Sequence, residues 1–231
     1  MNKGEMVTHC LDRMGAGRQS NTRLTEKIAA QINAAYSTLC GMQPWGWLSA
    51  RTAIPFTSAD DSLALPTTTH GGATVSKVSR VVFVALQGAS RILHYRAELA
   101  DLVKEGSPLS SRTGGVPAFW CVAPGDDGVT KALLLMPTPG YSDTAIVWYL
   151  RSHASIKLVN DTDVPLFPEE YHQFLVEKAM SVLTSMDATY DAQVGATARK
   201  EAGLIYRAMM FQSRMAQPAF RQLFWPGPGQ F

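Results

Sequence analysis

Leu24-Thr25-Glu26-Lys27-Ile28-Ala29-Ala30-Gln31-Ile32-Asn33-Ala34-Ala35-Tyr36-Ser37-Thr38-Leu39-Cys40-Gly41-Met42-Gln43-Pro44-Trp45-Gly46-Trp47-Leu48 is the stretch from which the fold is read. Leu24, Ile28, Ile32, Ala35, Tyr36 and Leu39 recur at helical spacing and form one apolar stripe, while Arg23, Lys27, Gln31 and Thr38 face away. Such a face must be covered. Asn21 or Thr22 can cap the helix by accepting a hydrogen bond from a free amide; Gly41, in a left-handed conformation, followed by Pro44 is expected to end it. Pro44-Trp45-Gly46-Trp47-Leu48 then reads as an extended segment presenting both indoles to one side. A covered indole removes roughly 150–250 Å² from water, so Trp45 and Trp47 read as core residues ahead of any ligand-binding role.

Working outward toward the N-terminus, Met6, Val7, Cys10, Leu11 and Met14 fall at helical spacing before Gly15, which predicts a short amphipathic helix and hence a helical hairpin. Toward the C-terminus the period changes. Leu48, Thr52, Ile54 and Phe56 alternate with smaller or more polar residues, and Val78 to Leu86 is rich in β-branched residues. Gln87-Gly88-Ala89-Ser90 turns that run into Arg91–Tyr95, and Pro124-Gly125-Asp126-Asp127-Gly128 is a hairpin signal between Ala118–Val122 and Lys131–Met136. Thr144–Leu150 is a strand apolar on both faces, and one antiparallel sheet is expected over about residues 48–152. Within it, Ala97–Val103 suggests one or two helical turns, and Lys104–Val116, rich in Gly, Pro and Ser, an exposed mobile loop.

The helical period then returns. Pro168, Glu169 and Glu170 suit a helix start, and Tyr171, Phe174, Leu175, Ala179, Val182, Leu183 and Met186 form a second apolar stripe. After a break at Asp187–Asp191, Val194, Ala198, Ala202, Ile205 and Met209 mark a last helix over Ala192–Met215. The fold class is therefore α+β: a helical bundle from residues 1–47 and 165–215, a β-rich insertion at 48–164, and an extended C-terminal arm at 216–231.

Composition narrows the function. The 231 residues are 46% hydrophobic, enough for a sizeable core, and the net charge of +2 with 17% charged residues is too balanced for a grip built on phosphate neutralisation. Cys10, Cys40 and Cys121 lack metal-ligand spacing and read as free thiols of a reducing compartment. Neither a signal peptide nor a membrane span is indicated, so no membrane partner is expected. Candidate chemistry weakens residue by residue. Asp161-Thr162-Asp163 lacks the glycine and distal glutamate of a calcium loop, and Asp60-Asp61 and Asp126-Asp127 read as turns. Glu169 and Glu170 are adjacent on a helix, hence about 100° apart, which disfavours an acid/base pair for glycoside cleavage. His9, His70, His94, His153 and His172 sit beside no nucleophile signature, and Gly71-Gly72 and Gly114-Gly115 lack the lysine of a phosphate loop. No catalytic, cofactor-binding or metal-binding residues are assigned, and no enzyme is indicated.

Ile32-Asn33-Ala34-Ala35-Tyr36 running into Pro44-Trp45-Gly46-Trp47-Leu48, then Leu63-Ala64-Leu65-Pro66, Leu135-Met136-Pro137-Thr138-Pro139 and Asp163-Val164-Pro165-Leu166-Phe167-Pro168-Glu169-Glu170-Tyr171-His172 occur in that order. Together they resemble the head-to-tail adaptor proteins of tailed bacteriophages, the tail-accessory or gatekeeper type of short-tailed phages, over residues 5–215. The resemblance implies a virion neck protein forming a ring, typically of twelve copies, below the portal protein. Such a ring attaches the tail or nozzle protein and leaves a channel for packaged DNA. The alternatives from other classes are a small enzyme, such as a cell-wall hydrolase with dispersed catalytic carboxylates, and a nucleic-acid-binding module. Within the adaptor reading, Phe220, Leu223, Phe224, Trp225 and Phe231 would leave a large apolar surface in water, so the arm is expected to contact the portal or a neighbouring subunit.

Overall fold

The computed structural model describes the chain except residues 16–21, 59, 61, 71, 98–112, 125–128, 187–190 and 225–231, and gives the backbone alone for 113, 114 and 214–224. The described chain divides into two units, one of Met1–Leu48 with Ile156–Phe231 and one of Ser49–Ser155.

The first unit is helical. Helix α1 (Lys3–Arg13) opens with a capping box: the Asn2 side chain accepts from the Glu5 N–H, and the Glu5 carboxylate accepts from the Asn2 N–H, each at 2.8 Å. Helix α2 (Thr22–Met42) buries Ile28, Ile32, Ala35, Tyr36 and Leu39, the stripe its spacing predicts. Pro168 and a 3-10 turn at Glu169–Tyr171 lead into helix α3 (Gln173–Met186), which buries Phe174, Leu175, Val176, Ala179, Met180 and Leu183. Helices α1, α2 and α3 pack on one another, and helix α4 (Ala192–Phe224) lies along α3. Gly195 permits that approach, since a Cβ there would stand 2.1 Å from Thr184 Oγ1. The loop before α3 is tied to α2 by Asn33, whose amide donates to the Leu158 carbonyl and accepts from its N–H, both at 2.9 Å.

Three local expectations are corrected. Helix α2 continues through Gly41 to Met42, and Gly41 is not among the glycines with positive φ. Gly46–Leu48 is a 3-10 turn, because the Leu48 N–H donates to the Trp45 carbonyl at 3.0 Å instead of leaving the segment extended. The turn still stacks the Trp45 and Trp47 rings, with centroids 6.1 Å apart, and lays Trp47 against Tyr36 and Phe167. Trp45 is buried, and its indole N–H donates to the Leu39 carbonyl. Helix α4 runs to Phe224 rather than ending at Met215. The residues after Met215 are mostly good helix formers and carry the helix past Pro218, although an interior proline removes one backbone donor and crowds the carbonyl four residues earlier.

The second unit holds strands β1 (Ser49–Phe56), β2 (Ser62–Ala64), β3 (Thr67–His70), β4 (Ala73–Ser76), β5 (Val78–Leu86), β6 (Arg91–Ile92), β7 (His94–Tyr95), β8 (Thr113–Gly115), β9 (Phe119–Pro124), β10 (Lys131–Met136), β11 (Thr138–Pro139) and β12 (Asp143–Arg151). The single antiparallel sheet expected is instead two four-stranded sheets, ordered β1-β12-β5-β6 and β2-β10-β9-β7, with two small pairs beside them. Two pairings are parallel, β7 with β9 and β8 with β11. Strand β12 is central in its sheet, which is why its apolar residues face both ways. Phe56, Val84, Val147 and Tyr149 of one sheet share a core with Leu63, Trp120, Leu133 and Leu135 of the other. The β5–β6 turn is pinned by Asp143, whose carboxylate accepts from the Gly88 and Ala89 N–H groups. A Cβ on Gly88 would sit 2.7 Å from that carboxylate. The helical turns expected after Ala97 and most of the loop after Lys104 fall outside the described residues. Thr113–Gly115, the loop's far end, is strand β8.

Candidate functional site

Several of the residues weighed for chemistry do structural work, and Asp61 and Gly71 lie outside the described residues. The Asp163 carboxylate accepts from the Val159 and Asn160 N–H groups, closing its loop, and Asp60 accepts from the Thr57 N–H and hydroxyl. Those bonds from Thr57 hold the Asp60 carboxyl below its ordinary value. Glu169 accepts from the N-terminal ammonium at 2.9 Å, which lowers its carboxyl in the same sense, and Glu170 accepts from Gln212. His172 is buried, with Nε2 2.9 Å from the Phe167 carbonyl and Nδ1 3.0 Å from the N-terminal nitrogen. His9 lies on α1, His70 on β3, His94 on β7 and His153 in the 3-10 turn His153–Ser155, so the five histidines do not converge. Among the described residues no group of three or more His, Cys, Asp and Glu side chains is placed to hold a metal ion. Asp126 and Asp127 lie outside the described residues. Cys10, Cys40 and Cys121 are free thiols; burial pushes Cys10 and Cys40 up to about 12 and Cys121 up to about 11.

One buried charge was missed from sequence. Glu177 is fully buried in α3 and pairs with Arg13 of α1, while Gln173 donates to the same oxygen. Its other oxygen has no hydrogen-bond partner among the described residues. The signal was present, since Glu177 stands between Phe174 and Ala179 in an otherwise apolar stripe. This pair fixes α1 on α3 and offers no opening to a substrate.

What the molecule does present is surface. Among the described residues of α4, the buried side is Ala198, Ala202 and Met209, and the opposite side exposes Leu204 at 55% and Phe211 at 66%. Sequence reasoning followed the buried stripe and passed over Leu204 and Phe211, although both share a face with Lys200 and Arg207. Phe220, Leu223 and Phe224, expected in an extended arm, lie on the helical backbone of α4; Trp225 and Phe231 lie outside the described residues. Leu204 and Phe211 are the exposed large apolar side chains of α4 among the described residues. Residues 1–224 match the SU10 adaptor protein family. The chain belongs to that family.

As a member of the SU10 adaptor protein family the chain is a bacteriophage structural adaptor, a component of the virion, and membership implies a non-enzymatic role. No curated protein matches it. Among the described residues no helix is long and apolar enough to cross a membrane.

Proposed function

We propose that this SU10 adaptor family protein forms a ring below the portal of a short-tailed phage, attaches the tail or nozzle protein, and leaves an axial channel through which packaged DNA is ejected. The family match over residues 1–224 carries the reading, because it spans both the helical unit and the strand-rich unit. Twelve copies suit a ring seated on a portal, and the neck between capsid and tail is its place in the virion.

Two further features support an assembly role. Residues whose chemistry could suggest catalysis are committed to caps, turns and a buried ion pair. The last helix carries exposed apolar residues that a solitary subunit would leave in water. In this proposal Phe220, Leu223, Phe224, Trp225 and Phe231 contact the portal or a neighbouring subunit. A chain truncated after Gln217 should then stay folded as a monomer, losing only the last helical residues of α4, and fail to join the portal. Negative-stain images of the virion's portal mixed with the full protein at micromolar concentration should show an added collar. Portal particles that stay smooth under those conditions contradict the reading.

A further inference from the structure

We propose that the outer face of helix α4 docks on the acidic loop 157–170 of a second copy of this chain, so that one unit carries both halves of a head-to-tail subunit interface. The inference rests on the ring reading above and names the surfaces that would build it.

Charge first points to the two surfaces. Residues 192–224 hold five Arg and Lys against one Asp or Glu, a net +4, although the whole chain is only +2. The single acid, Glu201, already lies 3.7 Å from Arg13. Residues 157–170 hold one Lys against four Asp and Glu, a net −3. Opposite charge is thus segregated between two segments of the same helical unit.

The side chains on each surface then match in kind. Lys200, Leu204, Arg207 and Phe211 follow steps of four, three and four, which is one row along a helix, and all four are exposed. Neither Lys200 nor Arg207 forms an ion pair among the described residues. The loop exposes Val164 at 55% and Leu166 at 40%, and the Asp161 carboxylate, 3.0 Å from Lys3 Nζ, remains 81% exposed. Cations alternating with apolar side chains suit a protein groove walled by acids and aliphatic residues. Leu204 and Phe211 would find no apolar partner on a phosphate backbone, which argues against a DNA track. Because the two surfaces differ, the contact is heterologous, and a heterologous contact that closes produces a ring.

Charge reversal tests this directly. Lys200→Glu with Arg207→Glu makes one variant, and Asp161→Lys with Glu170→Lys makes the other. Both leave Asp163 in place to hold the loop. Sedimentation velocity and negative stain, with and without portal, report assembly, and circular dichroism melts check that each variant folds as the unaltered chain does. Each variant alone should lose at least tenfold in assembled fraction at 0.1 M salt. An equimolar mixture should recover assembly, because every contact in an alternating ring again pairs opposite charges. Leu204→Asp with Phe211→Asp should abolish assembly, and no charge-reversed partner should restore it.

If either charge variant assembles alone as the unaltered chain does, or if the folded pair stays monomeric on mixing, the interface assignment is overturned while the ring reading stands. If the helix variant still self-assembles but loses duplex DNA or portal, the face belongs to that partner and the proposal is equally overturned. If the unaltered chain assembles neither alone nor on portal, the ring reading and the interface fall together.

Discussion

Replacing Arg13 by Ala should destabilise the helical unit far more than a half-exposed arginine would suggest. The reason is what it leaves behind. The Glu177 carboxylate is fully buried, one of its oxygens is shared between Arg13 and Gln173, and the other has no hydrogen-bond partner among the described residues. Removing the guanidinium leaves that buried charge without its partner, a situation that costs about 3–5 kcal/mol. Arg13 is 27% exposed, so water entering the vacated space should hold the loss near the lower end, about 3 kcal/mol. For a chain of this length that corresponds to a fall in Tm of roughly 6–12 °C. Urea unfolding followed at 222 nm should show a lower midpoint with an unchanged slope. The double replacement Arg13→Met with Glu177→Met should recover most of the loss, because removing both charges removes the stranded one as well. An Arg13→Ala midpoint within about 0.5 kcal/mol of the unaltered protein would refute the claim that this pair is buried and coupled.

Three further outcomes follow from the same geometry. Phe174→Ala should cost about 3–5 kcal/mol in urea unfolding, since the ring is buried and lies tilted against Tyr206 of α4 with centroids 6.2 Å apart; an unchanged midpoint would show it facing solvent. Native protein at pH 8 should alkylate at the buried Cys10 and Cys121 and the half-buried Cys40 far more slowly than in urea, because burial pushes the thiols up to about 12, 11 and 12 in that order; equal rates at Cys10 and Cys121 would contradict their burial. Asp143 is pushed up by burial, but the Thr144, Gly88 and Ala89 N–H groups outweigh this and hold its carboxyl below the ordinary value. Its contribution is therefore complete above the ordinary carboxylate range and lost as pH falls through the depressed value. Asp143→Ala should lose about 1–2 kcal/mol at pH 7 and progressively less as pH falls below the ordinary carboxylate range, and a loss that does not change with pH would assign it to packing.

The helices were legible because their stripes are long and regular. Ile28, Ile32, Ala35, Tyr36 and Leu39 are buried as their spacing requires, and Phe174, Leu175, Ala179 and Leu183 likewise. Helix ends were less legible. Gly41 and Pro44 carry stop signals, yet tertiary packing of Trp45 on the end of α2 kept the helix going to Met42 and wound the following residues into a 3-10 turn. The long strands and the two hairpins β5–β6 and β9–β10 were legible, but β3, β4, β8 and β11 were not. Nor was the order of strands in the sheets, because alternation says which face a residue takes and nothing about which distant strand lies beside it. Two sheets sharing Trp120, Val147 and Leu133 in one core therefore looked like one. The candidate surface was missed for a related reason: a search for buried stripes discards Leu204 and Phe211, whose exposure shows only once α4 is laid on α3. Glu177 was passed over because its partner, Arg13, lies at the other end of the chain.

The most direct test of the adaptor account is the mass of the assembled particle, measured by native mass spectrometry or light scattering on the virion's portal with and without this protein. The account predicts a discrete added mass of twelve chains of 25.1 kDa per portal ring, saturating sharply on titration. A portal mass that does not change, or that grows without a plateau as protein is added, would contradict it.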